Sequence, residues 1–260
     1  MSEKKYFKIK TTFADYYVVV EKFNPEMDHI FIGSKKKCMV ISIYFDGTNP
    51  NIDAIGYDEH CNTTDNHITN RGTIHMIKAS LTFIIKYYRN VKILGFELKD
   101  QSNINCNNNY IQSLSNYYMA YYSKIWYEDK LKAKPLYISE EKYENDKKIL
   151  VEYLLTKPDY NSIMKNVSSS HKKSLESLYS NSRNIKEFLL LLKEYDCIVY
   201  KGWLDSMVIQ CIPYLRGMEW FIPLDDNLLD NVEIIKLKSR PENLFILRGG
   251  ENHILFNSKV

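Results

Sequence analysis

Three short stretches hold groups that can do chemistry. Asp58, Glu59 and His60 stand together at the end of a strand-like run, and Glu59 or His60 can be tuned toward neutral pH by burial or neighbouring charge. Arg71-Gly72-Thr73-Ile74-His75 leads into a run with helical spacing. A helix beginning there offers an anion unsatisfied backbone N–H groups and the positive end of its dipole. Tyr117, Tyr118, Tyr121, Tyr122 and Tyr127 crowd a later helical stretch. A phenol, with its ordinary pKa of about 10, can serve there as an acid.

Other chemistries lack their patterns. A dinucleotide fingerprint needs three spaced glycines and a phosphate-binding loop needs a Gly-Lys-Ser/Thr ending, and neither accompanies Gly72. No G-x-S-x-G elbow supports a serine hydrolase. The six histidines form no H-x-x-x-H or H-E-x-x-H pair. His60 and His67 with Cys61 could meet a metal in a loop, but the spacing favours a dispersed set. Lysines interleaved with aromatics in KIWYEDKLKAK, Lys124 to Lys134, could stack single-stranded nucleic acid, although aromatics on one helical stripe more often pack a core.

The elements that must position these residues can be read from periodicity. YFKIK, YYVVVEK, HIFIGS, CMVISIYF and NIDAIGYD are rich in β-branched and aromatic residues, are separated by turn residues, and predict successive antiparallel strands up to about Glu59. Ile74, Ile77, Leu81, Ile84 and Tyr88 then recur at helical spacing behind a candidate N-cap at Thr73. Asn90 to Leu98 reads as a short strand, and Asn103 to Asn109 as a polar loop. Ile111, Leu114, Tyr118, Tyr121 or Tyr122, and Ile125 predict one helix ending near Lys130. Beyond Lys134-Pro135 a helix begins at Ser139 with Glu140 and Glu141, and ends at Lys157-Pro158. Further helices are expected at Ser169 to Tyr179, Asn184 to Tyr195, and Trp203 to Leu215, the last broken at Pro213. The chain closes on strand-like runs, EWFIPL, VEIIKLK, NLFILRG and HILFN.

Composition narrows the class. With 260 residues, 45% hydrophobic and 26% charged, the chain suits a folded protein of one large or two small domains. Lysine outnumbers arginine 29 to six, and with 21 tyrosines this suits an A/T-rich coding sequence. A net charge of only +3 imposes no basic field suited to nucleic acid. Five scattered cysteines without a C-x-x-C pair predict neither a disulfide framework nor a zinc knuckle, and so a reduced, cytoplasmic setting. The aliphatic run from Phe188 to Leu192 is too short to cross a bilayer, so no membrane is expected.

The order of elements resembles the core of the GNAT superfamily of N-acyltransferases: antiparallel strands, an Arg-Gly turn, a long helix, a strand with an Asp/Ser/Asn loop, and a helix ending in aromatics. In that family the turn before the long helix carries a pattern near Arg/Gln-x-x-Gly-x-Gly/Ala whose amides hold the pyrophosphate of acyl-coenzyme A. The resemblance implies that Arg71, Gly72, Thr73, Ile74 and His75 bind acetyl-CoA here, with one glycine where the family has two. The late helix carries Ser115, Tyr118, Tyr122 and Trp126-Tyr127 at family offsets, which places Tyr122 where a tyrosine protonates the departing thiolate. Glu59 or His60 falls where the family has the base that deprotonates the amine. Within residues 71–133 the chain also looks like a group of GNAT-like proteins of large nucleocytoplasmic DNA viruses. The shared positions are Gly72, Thr73, Met76, Ile77, Asp100, Ser102, Ile104, Cys106, Trp126, Tyr127 and Glu128.

The expected fold is therefore α+β: a GNAT-like mixed, largely antiparallel sheet flanked by helices over residues 1–137, then a helical region over 138–260 ending in short strands. Two functions are expected from the resemblance. One is acetyl transfer to an amine acceptor, a small molecule or a protein. The other is a catalytically inactive viral module, in host cytoplasm or virion, that binds a protein or nucleic-acid partner through its C-terminal region.

Overall fold

Alternation of apolar and polar residues drives the first five strands, β1 (Lys4–Lys10), β2 (Asp15–Asn24), β3 (Met27–Gly33), β4 (Lys37–Tyr44) and β5 (Asn51–Ile55). Each pairs antiparallel with the next. In this computed structural model, which describes residues 3–64, 72–107, 110–163, 169–225 and 228–246, Phe7, Ile9, Tyr16, Val18, Ile30, Ile32 and Ile41 turn inward. Each such side chain contributes roughly 1.5–3 kcal/mol by leaving water.

Helix α1 (Gly72–Tyr87) covers this face. Its buried stripe includes Met76, Ile77, Leu81 and Ile84, and the ring of Phe83 meets that of Phe7 with centroids 5.3 Å apart. Ser80 and Thr82, buried on the same helix, return their hydroxyls to the carbonyls of Met76 and Lys78, so neither is left without a partner.

After α1 the chain enters β6 (Gly95–Lys99), then the hairpin β7 (Asn103–Asn107) and β8 (Tyr110–Ser113). The polar run expected to be a loop is thus mainly strand, because β7 finds a partner in β8. The single helix expected through Ile125 is also corrected. It is split into α2 (Leu114–Tyr122) and α3 (Trp126–Leu131), since Ser123 adopts the left-handed conformation at φ 55° and ends the first piece. Strand β9 (Lys134–Pro135) follows.

The helical region comprises α4 (Glu140–Leu154), α5 (Tyr160–Ile163), α6 (Ser169–Asn181), α7 (Ile185–Tyr195) and α8 (Cys197–Cys211). Ser139 and Asn184 cap α4 and α7 by accepting from Lys142 N and Glu187 N. Helix α8 begins earlier than expected because Asp196 accepts from both Ile198 N and Val199 N, and it stops before Pro213. Strands β10 (Glu219–Pro223) and β11 (Glu233–Leu237) complete the described elements. NLFILRG, expected as a strand, contains a turn and no strand in its described part, residues 243–246, and its remainder and HILFN lie outside the described residues.

The nine-stranded sheet has the order β11-β1-β2-β3-β4-β5-β6-β10-β9. Strand β11 from the C-terminal region thus forms one edge, and β10 from the same region lies between β6 and the β9 edge. Among the described strands only β5 and β6 run parallel, joined by the crossover through α1. Among the described residues no helix is long and apolar enough to cross a membrane.

Candidate functional site

Parallel pairing of β5 with β6 is confined to Asn51 with Glu97 and Ile52 with Leu98. Beyond it, Ala54 and Ile55 pair only with β4, while β6 is occupied along its length by β10. Strand β6 ends at Lys99, one residue past its last pair, so β5 runs on beyond it through Asp53, Ala54 and Ile55.

Strand β5 continues through Tyr57 into a 3-10 turn, Glu59–Cys61. Asp58 caps the turn, its Oδ1 accepting from His60 N at 2.9 Å. Lys36 pairs with the other oxygen, Oδ2, and Lys36 N donates to the His60 carbonyl at 3.3 Å. Glu59 and His60 meet each other at 3.6 Å, with side chains 58% and 39% exposed.

The turn is fastened by a disulfide between Cys38 at the start of β4 and Cys61. Cys197 is disulfide-bonded as well, and Cys211 is a free thiol. The sequence reading that the cysteines stay unpaired is thereby corrected: the odd count and lack of a C-x-x-C spacing conceal pairings made across the fold. The reduced, cytoplasmic setting inferred from the cysteines loses that support.

Gly72 opens α1 and is buried. A Cβ there would lie 2.1 Å from Cε1 of Tyr57, whose hydroxyl accepts from Asn62 at 3.1 Å, so the glycine lets the two segments approach. Thr73 is half-buried in the first turn, Ile74 packs on the core, and His75 stacks on Phe13 with centroids 3.9 Å apart. Arg71 and His67 lie outside the described residues. The first amides of α1 have no acceptor within the helix, as at any helix start.

On the β6 side the sequence reading singled out no site, yet Asp100 stands there, 2% exposed. Its Oδ1 accepts from Ser102 N at 3.1 Å and from the Ser102 hydroxyl. Burial pushes this carboxyl above the usual range, against the lowering effect of the Ser102 and Ser115 hydroxyls and of Arg216. Ser113, which caps α2 by accepting from Asn116 N, shares a 2.7 Å hydrogen bond with Ser115. Asn116 in turn donates to Asp205 of α8 at 2.7 Å. The Asp-x-Ser turn after an apolar strand was the available signal for this network.

Tyr122 ends α2 and is 51% exposed, with its ring 4.8 Å from that of Tyr118. Helix α2 packs on α8, α4 and the β7–β8 hairpin, whereas the Glu59–Cys61 turn packs on β3. The structure thus gathers Tyr57, Gly72 and the Asp58–Cys61 turn at one place and puts Tyr122 on another element group. A surface cleft of about 330 Å³, lined by Lys124, Glu128, Lys132 and Lys134 among others, belongs to α3, β9 and α4, with no lining residue on β5 or α1.

Compared with family models, with curated proteins and with solved structures, the chain finds no match. The class that can be stated is an α+β protein built on a mixed, mostly antiparallel open sheet.

Proposed function

We propose that this chain is a GNAT-type N-acyltransferase that moves an acetyl group from acetyl-CoA to an amine. The observation that carries this reading is the short parallel contact of β5 with β6, two residue pairs long, with the start of α1 brought to the carboxyl end of β5 by the contact between Tyr57 and Gly72. The acyl group is then placed at the carboxyl end of that contact, and the helix start receives phosphate. In this reading the amides of Gly72, Thr73, Ile74 and His75, with Arg71, hold the anion. Glu59 or His60 removes a proton from the amine, and the family resemblance, rather than a contact between α2 and this turn, assigns to the Tyr122 hydroxyl the return of one to the leaving thiolate. Acetyl-CoA supplies the activated thioester.

A second reading has its own observation. The space beside Gly72 is filled by the Tyr57 ring, and His75 is engaged by Phe13, so the glycine serves packing. This favours a catalytically inactive GNAT-like module that binds a protein or nucleic-acid partner through its C-terminal region.

Isothermal titration with acetyl-CoA separates the two. Thr73→Glu suits the helix dipole but repels a pyrophosphate, so the variant folds and loses affinity if the amides bind the cofactor. Micromolar binding lost in that variant supports the enzyme, and an amine screen with Tyr122→Phe then tests the acid. No binding at millimolar ligand leaves the inactive module.

A further inference from the structure

Independently of either reading, we propose that Cys38, Cys61 and Asp58 form a zinc-type divalent-metal site when the Cys38–Cys61 disulfide is reduced, so that one pocket holds a disulfide or a metal but never both.

One sulfur or carboxylate oxygen from each of the three residues falls within 4.8 Å of the others. Two thiolates and a carboxylate are the soft and borderline donors that zinc takes in tetrahedral sites, with the fourth position left to water. Zinc–thiolate bonds of about 2.3 Å put two sulfurs roughly 3.8 Å apart. Side-chain rotation about Cα atoms that stand 5.7 Å apart can supply that separation.

Three features of the surroundings suit a metal. Asp58 N donates to Cys61 Sγ at 3.1 Å, a contact that stabilises a thiolate far more than a disulfide sulfur. Lys36 holds Asp58 by Oδ2, while Oδ1 faces Cys61 Sγ at 3.5 Å, so the carboxylate is oriented from behind as ligating carboxylates are. Charge also closes: the three negative ligands are matched by the divalent ion and the Lys36 ammonium.

Conversion to the disulfide proceeds by exchange with a small-molecule disulfide. One cysteine thiolate attacks it and expels one thiolate, and the second cysteine attacks the mixed disulfide and expels the other. Two electrons pass from the cysteines to the oxidant, the two expelled thiolates take up protons from water, and the metal leaves with two of its ligands lost.

The test is cobalt titration of the full chain after reduction and removal of the reductant, read by thiolate-to-metal charge-transfer absorption. One ion per chain is expected, with absorption lost in Cys61→Ser, retained in Cys211→Ser, and affinity weakened at least about tenfold in Asp58→Asn, which keeps the cap. Oxidised glutathione should abolish binding in the unmutated protein, which covers the case in which Cys61→Ser fails to fold. Absence of the band from reduced protein, or its survival in Cys61→Ser or after oxidation, overturns the site. Unchanged affinity in Asp58→Asn overturns the role of the carboxylate.

Discussion

Tyr57 lies against Gly72 so closely that a Cβ on the glycine would fall 2.1 Å from its ring. This contact joins the end of β5 to the start of α1 and fixes where the helix amides stand. Gly72→Ala forces the ring or the helix to shift, and a loss of about 1–3 kcal/mol is expected from overpacking. Urea denaturation measures it. Because the obstacle is a side chain, a second change, Tyr57→Ala, should recover part of the loss, and strictly additive effects of the two substitutions would count against the contact.

The Cys38–Cys61 disulfide closes a separation of 23 residues that contains β4 and β5. Cross-linking a loop of this size is worth about 3 kcal/mol through the unfolded chain. The double variant Cys38→Ser with Cys61→Ser is expected to lose about that much stability in metal-free buffer. The turn carrying Glu59 and His60 should then show faster amide exchange while β2 and β3 stay protected.

Glu128 gathers three donors: Ile125 N at 3.3 Å, Tyr143 Oη at 2.9 Å and Lys147 Nζ at 2.9 Å. The Lys147 side chain is only 12% exposed. Glu128→Ala leaves that ammonium with the exposed Glu144 carboxylate and the Tyr143 ring and removes the cap of α3, so a loss of about 2 kcal/mol is expected in thermal or urea unfolding. Glu128→Gln keeps acceptors for the neutral donors and should lose less.

Asp100 gives the protein a pH dependence with a definite sign. Burial raises its carboxyl in the folded state, so the folded chain holds a proton that the unfolded chain has released. The resulting stabilisation is complete below the ordinary carboxylate range and is lost as pH rises through the folded-state value. Asp100→Asn retains an acceptor for Ser102 and cannot ionise. Relative to the unmutated protein, the variant should gain stability as pH rises across that interval. Urea midpoints measured against pH for both proteins check this, and parallel curves would show that Asp100 does not carry the effect.

The sequence by itself determined the local elements. Ile74, Ile77, Leu81 and Ile84 recur once per turn and specify α1, and Ser139 and Asn184 mark the starts of α4 and α7, because capping and amphipathic period are set by neighbours within a few residues. Strands β1 to β5 were legible for the same reason. Pairing across the chain was not. Nothing near Glu219 or Glu233 says that β10 will lie beside β6 and β11 beside β1, since an edge is chosen by which partner buries the most surface once the whole sheet exists. The candidate site divides in the same way. Gly72 and the acidic turn could be read directly, while the ring over Gly72, the bond from Cys38 to Cys61 and the burial of Asp100 were decided by residues distant in sequence and adjacent only after folding.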